Sequence, residues 1–231
     1  MPSLSIIVPV LDEAAGIAAA LEALTPFRQR GVEVIVVDGG SRDRTMELAR
    51  PLADRTIAAP RGRGAQMNAG AAIATGDVLL FLHADTRLPP DVDGLLLEAM
   101  RDSTWQWGRF DTRIEGGNPL LAMVAGFMNW RSLITGIATG DQAMFVRRAA
   151  FDAAGGFPDI PLMEDVALSK RLKRIGRPLG LAARVVTSGR RYHERGVIRM
   201  ILLMWRLRFE YFLGVEPAAL ARRYGYVPRD G

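Results

Sequence analysis

Residues 34–45 read VIVVDGGSRDRT, in which four aliphatic residues run into a carboxylate, two glycines and a serine. The Val and Ile run predicts a buried strand over residues 33–37. Ser41 or Asp43 can cap the helix predicted over residues 45–52. A continuous apolar strand that leads into a helix is typical of a parallel sheet with helices on both faces. This stretch therefore predicts one strand-to-helix step of an α/β domain.

The alternation of strands and helices continues through the first half of the chain. Strands are predicted at 5–10, 33–37, 56–59 and 78–82, and helices at 14–24, 45–52 and 65–74. Successive strands of this kind join a mainly parallel sheet through right-handed crossovers, and such sheets bind ligands at the carboxyl ends of their strands. We therefore predict a nucleotide-binding α/β wrap in which Asp38 and residues 83–85 point into one crevice.

The second half of the chain is less regular. Its predicted elements are a helix at 92–100, a strand at 105–114, a helix at 120–134, a strand at 142–147 and a helix from Pro161 to about Ile175. No linker, repeat or low-complexity stretch interrupts the 231 residues, which predicts a single domain. Within it we expect a nucleotide-binding half at 1–90, an acceptor half at 91–195, and a C-terminal amphipathic helix and tail at 196–231.

A helix predicted over residues 197–213 is apolar except for four charged residues. These are Arg199, Arg206, Arg208 and Glu210. Interior charges argue against a helix that spans a bilayer. Two alternatives stay open: the helix packs against the domain, or it lies on a membrane surface, where Trp205, Tyr211 and the arginines suit the interface.

The composition excludes several classes of chemistry. The chain has no cysteine, which rules out disulfides, thiolate nucleophiles and cysteine-based metal centres. The net charge of +5 comes without an arginine-rich helix or an RNA-binding aromatic signature, so nucleic acid is not expected as a partner. A strand close to the N-terminus, without a leader-like segment, predicts a cytoplasmic protein. The membrane alternative for the 197–213 helix would add peripheral contact at the inner face of the membrane.

His83-Ala84-Asp85 directly follows the predicted strand at 78–82. Because side chains alternate along extended backbone, the imidazole and the carboxylate point the same way. A carboxylate suits Mg²⁺ or Mn²⁺ and an imidazole suits Mn²⁺, so the pair can hold an ion that bridges a diphosphate. A solvated helix cap is the alternative for such a short acidic turn.

Arg61-Gly62-Arg63-Gly64 precedes the predicted helix at 65–74. Arginine binds phosphate oxygens through paired hydrogen bonds, and glycines allow backbone N–H groups to approach an anion. The N-terminus of the following helix adds its positive end. The convergence of these arginines with Asp38 and Asp85 at neighbouring strand ends favours a diphosphate site over a flexible surface turn.

Glu164-Asp165 forms a second carboxylate centre in the first turn of the helix that begins near Pro161. The helix macrodipole keeps an acid at this place ionised. An ionised carboxylate can take the proton of an attacking hydroxyl group, so the pair is a candidate catalytic base. Acids that only complement the helix dipole are the alternative.

Taken in order, these motifs resemble the inverting family 2 glycosyltransferases with the nucleotide-diphospho-sugar transferase (GT-A) fold, over nearly the whole chain. VPVLDE at 8–13 is similar to the family's opening VPxxNE, and VIVVDGGSRDRT is similar to its VDDGSxDxT. FDAAGGFPDIPLMEDVALSKRL at 151–172 resembles the family's GGF…ED acceptor segment. The family more often has Asp-x-Asp where this chain has His83-Ala84-Asp85.

The resemblance implies a nucleotide-diphosphate sugar as donor, with uridine as the default base, a hydroxyl acceptor, and Mn²⁺ or Mg²⁺ as cofactor. It implies that Pro9, Glu13 and Asp38 contact the base and ribose. Asp85 would bind the metal, and Asp165 would be the catalytic base. The motif set also resembles small bacterial glycosyltransferases associated with lipid or carotenoid modification, which suggests a lipid acceptor.

Arg190-Arg191-Tyr192-His193 is similar only to the end of the QxxRW motif of processive synthases, so transfer of one sugar is expected rather than polymerisation. Arg190 or Arg191 would clamp the leaving diphosphate. His193 would complete the metal shell, with an exposed basic loop as an equal alternative. The predicted site residues are Asp165 and Glu164 for catalysis, Pro9, Glu13, Asp38, Gly40, Arg61, Arg63, Gln66, His83, Asp141, Arg190 and Arg191 for donor binding, and Asp85 and His193 for the metal.

Two other functions share these sequence features. A nucleotidyltransferase uses the same wrap and metal, but attacks the α-phosphate and releases pyrophosphate. A catalytically silent member of the family would bind a nucleotide or a partner protein, and the histidine at position 83 makes this alternative conceivable. Product analysis distinguishes the three.

Overall fold

The computed structural model describes residues 2–226, which form one eight-stranded sheet and eleven α-helices. The strands are β1 Leu4–Val10, β2 Glu33–Asp38, β3 Arg55–Ala58, β4 Val78–Phe81, β5 Thr86–Arg87, β6 Trp107–Ile114, β7 Phe145–Arg147 and β8 Leu179–Thr187. The helices are α1 Ile17–Glu22, α2 Thr25–Gln29, α3 Thr45–Ala49, α4 Arg63–Ile73, α5 Val92–Ala99, α6 Pro119–Thr135, α7 Arg148–Ala153, α8 Glu164–Leu172, α9 Arg190–Arg195, α10 Val197–Phe212 and α11 Pro217–Tyr224.

The strands lie in the order β3-β2-β1-β4-β7-β6-β8-β5. The first four of these are parallel to one another, as are β6 and β8, whereas β7 is antiparallel to both of its neighbours and β5 is antiparallel to β8. The sheet is therefore mostly parallel, which confirms the predicted α/β class. Both halves of the chain contribute strands to it.

The core lies on both faces of the sheet. Because side chains alternate along a strand, Ile6 and Val8 of β1 pack on one face, whereas Ile7 packs on the other with Leu79 and Phe81 of β4. All seven residues of β1 are buried, as a parallel strand covered on both sides requires. The helices then cover the faces and leave the carboxyl ends of the parallel strands accessible.

Several predicted boundaries differ from the structure. The helix predicted at 14–24 is α1, which begins at Ile17, followed by the separate α2. The helix predicted from Pro161 begins only at Glu164, because Met163 has a φ of +69° and the chain turns left-handed just before α8. The strand predicted at 142–147 is confined to β7, because residues Gly140–Gln142 form a 3₁₀ turn.

The predicted helix at 197–213 corresponds to α10, and its buried residues include Met200 and Leu207. Within residues 2–226, no helix combines the length and apolar content needed to cross a bilayer. One face of α10 therefore packs on the domain, as one of the two alternatives requires. Its other face is described below.

Candidate active site

A cavity of about 500 Å³ lies at the carboxyl ends of β1 and β4, and its volume is within the range of small-ligand pockets. Its wall includes residues of the loops after both strands, of α4 and of α9. The predicted site residues that line it are Pro9, Glu13, Arg61, Arg63, Gln66, His83, Asp85, Arg190 and Arg191. We call it the donor cavity.

A second cavity of about 70 Å³ adjoins the donor cavity, and Arg63, His83 and Arg191 line both. Three further predicted acids, Asp141, Glu164 and Asp165, line this second cavity, which we call the catalytic cavity. The two carboxylate centres of the sequence, Asp85 and Asp165, thus border adjoining spaces with a shared wall.

Three predicted site residues line neither cavity. Asp38 is buried, and its carboxylate accepts hydrogen bonds from the backbone N–H and hydroxyl of Ser41, at 3.0 and 2.5 Å. Gly40 lies in the same turn with a φ of +94°. A Cβ atom at Gly116 would lie 2.7 Å from Nε2 of His193, so this imidazole lies against the turn between β6 and α6. The donor role of Asp38 and Gly40 and the metal role of His193 stay predictions.

His83 lies between the two cavities and contacts the 3₁₀ turn that holds Asp141. Its Nδ1 is 3.6 Å from an Oδ1 of Asp141, and a side chain at Gly140 would overlap the imidazole ring. Burial raises the pKa of Asp141, but the interaction with His83 and the charges of Arg63 and Arg191 outweigh it and hold that pKa below its usual value. Asp141 is therefore ionised at neutral pH and adds a fixed negative charge beside His83.

Asp165 is held at the N-terminus of α8 by two backbone donors. Its Oδ2 accepts from the N–H of Gly140 at 2.8 Å, and its Oδ1 accepts from the N–H of Val166 at 2.7 Å. The first donor belongs to the turn beside His83, so the carboxylate has a set orientation relative to the donor cavity. The left-handed Met163, an uncommon conformation for this residue type, turns the chain so that α8 points its N-terminus into the catalytic cavity.

Glu164, by contrast, is buried beside an arginine. It is 4% exposed, and its carboxylate lies 3.8 Å from the guanidinium of Arg63. Burial raises the pKa of Glu164 and the charge of Arg63 only partly offsets this effect. Glu164 therefore lies beside Arg63, which lines both cavities, and Asp165 is the better placed of the two acids for proton transfer.

This burial predicts how stability changes with pH. The folded chain keeps a proton on Glu164 at pH values where the unfolded chain, with a glutamate pKa of about 4.3, has lost it. The free energy of unfolding of the wild type should therefore fall, relative to that of Glu164→Gln, as the pH rises above about 4.3. Urea denaturation of both proteins over a pH series measures the difference. A difference that is constant or that changes with the opposite sign would contradict the burial of this carboxyl.

Both acidic and basic residues line the donor cavity. Arg190 lies 3.8 Å from Glu13. Burial, with a contribution from the charge of Asp85, raises the pKa of Glu13 above its usual value, although the charge of Arg190 partly offsets this effect. The arginines outnumber the acids, because Arg61, Arg63, Arg190, Arg191 and Arg195 face Glu13, Asp85 and Glu194. A polyanion is the ligand that this excess of positive charge fits.

The C-terminal segment contributes residues that the sequence did not reveal. Tyr224, at the end of α11, accepts a hydrogen bond at its hydroxyl oxygen from Arg191 at 2.7 Å and at its backbone carbonyl from Arg195 at 2.8 Å. The guanidinium of Arg61 lies 5.4 Å from the ring centre of Tyr226. These tyrosines line the donor cavity, and no sequence signal separates them from ordinary surface tyrosines.

Residues 227–231 of the predicted tail lie outside the described residues.

Gln66 lines the donor cavity but also joins two strands. Its side-chain Nε2 donates to the carbonyls of Val10 and Val37, both at 2.8 Å, where β1 and β2 end. The side chain is 3% exposed. Gln66 therefore holds together the strand ends from which the loops of the donor cavity extend.

We expect Gln66→Leu to lower the free energy of unfolding by about 1–3 kcal/mol, because two hydrogen bonds to buried carbonyls are lost. Gln29→Leu, the same substitution at an exposed position, is the matched control and should change stability by less than about 0.5 kcal/mol. Urea denaturation measures both values. If both substitutions change the free energy of unfolding equally, the two hydrogen bonds of Gln66 contribute no stability.

The residues present fit a divalent cation bound together with a diphosphate. Asp85 and His83 both line the donor cavity and offer one carboxylate and one imidazole. Within residues 2–226, no three His, Asp or Glu side chains are grouped closely enough to hold a metal by themselves. Phosphate oxygens of a ligand would have to complete the coordination, as they commonly do for Mg²⁺.

The structure has the fold of the nucleotide-diphospho-sugar transferases, or GT-A fold, and a basic crevice lies at its strand ends. The structure superposes on the mannosyltransferase PcManGT from Pyrobaculum calidifontis, solved with GDP-Man and Mn²⁺, with a TM-score of 0.67 and 23% identity, over 98% of this chain and 66% of that one. The family model of glycosyl transferase family 2 matches residues 5–153, and the chain belongs to this family.

Two curated proteins are similar in sequence to part of this chain. A PGL/p-HBAD biosynthesis glycosyltransferase of Mycobacterium bovis is 38% identical over 94 residues, which cover 38% of this chain and 37% of that protein. An undecaprenyl-phosphate 4-deoxy-4-formamido-L-arabinose transferase of Pseudomonas paraeruginosa is 32% identical over 127 residues, or 44% of this chain and 38% of that protein. The matched region thus spans little more than a third of each relative.

Proposed function

We propose that this protein transfers one sugar from a nucleotide-diphosphate sugar to an acceptor hydroxyl group, with inversion at the anomeric carbon. The observation that carries the proposal is the shared wall of the two cavities: an arginine-rich space for a diphosphate adjoins a smaller space bordered by an oriented Asp165. Family membership and the names of both relatives support transfer of a sugar.

The donor diphosphate is proposed to lie against the arginines of the donor cavity. Arg63 and Arg191 border both cavities, so they can neutralise the phosphate charge that develops next to the reacting carbon. Asp85 and His83 would hold a Mn²⁺ or Mg²⁺ ion, and such an ion supplies further neutralisation of the leaving diphosphate when bound. The complex of PcManGT with GDP-Man and Mn²⁺ supports a divalent cation as cofactor.

The acceptor is proposed to enter the catalytic cavity. Asp165 takes the proton of its hydroxyl group while the oxygen attacks the anomeric carbon on the side opposite the diphosphate. One displacement of this kind inverts the configuration at that carbon. Asp141, ionised and next to His83, keeps the imidazole in place, and Glu164 does the same for Arg63.

From the family resemblance, we propose that the nucleotide of the donor contains uridine and that the protein transfers a single sugar rather than building a polymer. The protein is proposed to act in the cytoplasm, at the inner face of the membrane. Because the PcManGT complex contains GDP-Man, a donor panel has to include guanosine as well as uridine nucleotides.

The test is a panel of nucleotide sugars, screened by thermal shift with and without Mn²⁺ and followed by analysis of the released nucleotide. A donor that binds should raise the melting temperature by mass action. Slow hydrolysis of that donor to nucleoside diphosphate, lost in EDTA, is the expected result. Release of pyrophosphate from sugar phosphate and nucleoside triphosphate would instead indicate a nucleotidyltransferase, and binding without any turnover would indicate a catalytically silent protein.

A further inference from the structure

A third cavity, of about 220 Å³, lies between α6 and α10 and is lined mainly by apolar side chains. Its apolar wall includes Met123, Phe127 and Met128 of α6 and Ile201, Met204 and Trp205 of α10. We call it the apolar groove. Its polar residues are few, and Asp141 and Arg208 are among them.

The apolar groove adjoins the catalytic cavity. Asp141, Met204 and Arg208 line both spaces, so the inner end of the groove meets the cavity that Asp165 borders. A ligand in the groove would therefore end beside the cavity that the catalytic carboxylate borders, and among the described residues the groove shares no lining residue with the donor cavity. The proposed function places the acceptor hydroxyl in that cavity beside the groove.

The outer faces of α6 and α10 expose apolar side chains at helical spacing. On α10 these are Ile198, Leu202, Trp205, Phe209 and Phe212, which are 55–79% exposed. On α6 they are Leu120, Met123, Phe127, Trp130 and Ile134. Spacings of three and four residues place each set on one side of its helix. We call these two sets the outward stripes.

Most of the exposed large apolar side chains lie on α6 and α10. Of the fourteen large apolar side chains exposed in the described part of the chain, eleven belong to α6 or α10, and Leu213 directly follows α10. The rings of Phe127 and Trp205 lie 5.7 Å apart and join the two stripes into one surface. A contiguous apolar surface of this kind marks an interaction site.

The groove opens within this surface. Met123, Phe127 and Trp205 belong both to the outward stripes and to the groove wall. A protein bound over the stripes would cover the mouth of the groove, whereas a bilayer in the same place would open it to the chain of a lipid. Exposed Arg199 and Arg206 beside the α10 stripe, together with its tryptophan, have the pattern of a helix at an anionic membrane interface.

We infer that the acceptor is a bilayer-resident amphiphile whose apolar chain occupies the groove and whose hydroxyl group reaches Asp165, while the outward stripes of α6 and α10 rest on the membrane. The inference rests on the proposed function and specifies its acceptor class.

The first test measures binding of the full chain to vesicles of phosphatidylcholine and phosphatidylglycerol by co-sedimentation. The wild type should sediment with the vesicles, and Leu202→Glu should remain in the supernatant, because it places a charge within the α10 stripe. Leu95→Glu is the matched control: Leu95 is 48% exposed but lies on α5, and its variant should sediment like the wild type. A wild type that does not sediment, or a dimer that Leu202→Glu converts to a monomer, would overturn the membrane assignment.

The second test measures acceptor selectivity with alkyl glucosides from butyl to dodecyl, used below their micelle concentrations. For the wild type, kcat/KM should rise about two- to fourfold for each methylene group that the groove buries. Ile201→Trp fills the groove and should abolish this rise, whereas Ile175→Trp, at an exposed position outside both helices, should preserve it.

Hydrolysis of the donor without acceptor, measured in the same preparations, separates the two levels of the proposal. If the wild type turns over the donor but its kcat/KM does not depend on the length of the alkyl chain, the inference on the acceptor is wrong. The proposed glycosyl transfer would not be contradicted by that result. Absence of any donor turnover by the wild type, across the nucleotide-sugar panel, would instead overturn the proposed function.

Discussion

Asp165→Asn is expected to lower kcat by about 10²- to 10⁴-fold, the range that general base catalysis supplies, with little change in donor affinity. The amide has nearly the shape of the carboxylate but cannot accept the proton of the acceptor hydroxyl. One amide oxygen can still accept the N–H of Gly140, which Oδ2 of Asp165 accepts at 2.8 Å in the wild type. The turn beside His83 should therefore stay in place.

The control for this substitution is Asp152→Asn, which makes the same change at an exposed position of α7. Single-turnover kinetics with a bound donor measure the chemical step, and thermal shift with the same donor measures binding. The combination expected is intact binding with slow chemistry. A rate close to that of the wild type would reject Asp165 as the base, and lost donor binding would show that it acts on the donor instead.

Asp85→Ala is expected to lower turnover by about 10²- to 10³-fold, the cost typical of removing one group that stabilises developing charge. Asp85 lines the donor cavity and offers the carboxylate of the proposed cation site. Without this carboxylate, the leaving diphosphate is neutralised by the arginines alone. The loss should therefore be larger in the presence of saturating Mn²⁺ than in EDTA, where the wild type is also slow.

The readout specific to a metal role is the stabilisation of the protein by donor and Mn²⁺ together. The wild type and Asp165→Asn should both show a higher melting temperature with donor and Mn²⁺ than with donor alone. Asp85→Ala should lose this additional increase, whereas Asp152→Ala, an exposed control on α7, should keep it. An unchanged Mn²⁺ effect in Asp85→Ala would place the cation elsewhere.

The two halves of the chain differ in how far their sequence predicts their structure. In the first half, the strands at 33–37 and 78–82 are recognisable because each is an uninterrupted apolar run, as full burial requires. In the second half, β8 was not predicted. Its residues LGLAARVVT are only partly buried, and they become a strand because β6 offers an edge to pair with. Pairing with a distant strand leaves a weak local signal.

The candidate site shows the same division. Asp85 and Arg63 were predicted from local rules, namely their positions at a strand end and at a helix start, and both line the donor cavity. Asp38 also ends a strand, but its carboxylate accepts hydrogen bonds from the Ser41 turn that follows it. Tyr224 lies on α11 and Arg208 on α10, and both reach the site only because these helices dock against the domain. No local sequence pattern predicts where the two helices dock.

The sequence by itself determined the α/β class, the parallel core of the sheet and the strand ends at which charged residues converge, because burial and alternation act over a few neighbouring residues. Only the tertiary structure decided that His193 faces Gly116, that Asp165 accepts the N–H of Gly140, and which apolar face of α10 remains outside. The helix is apolar on more than one side, so its sequence alone cannot select the buried face. That choice depends on which surfaces of the folded domain are available to pack against.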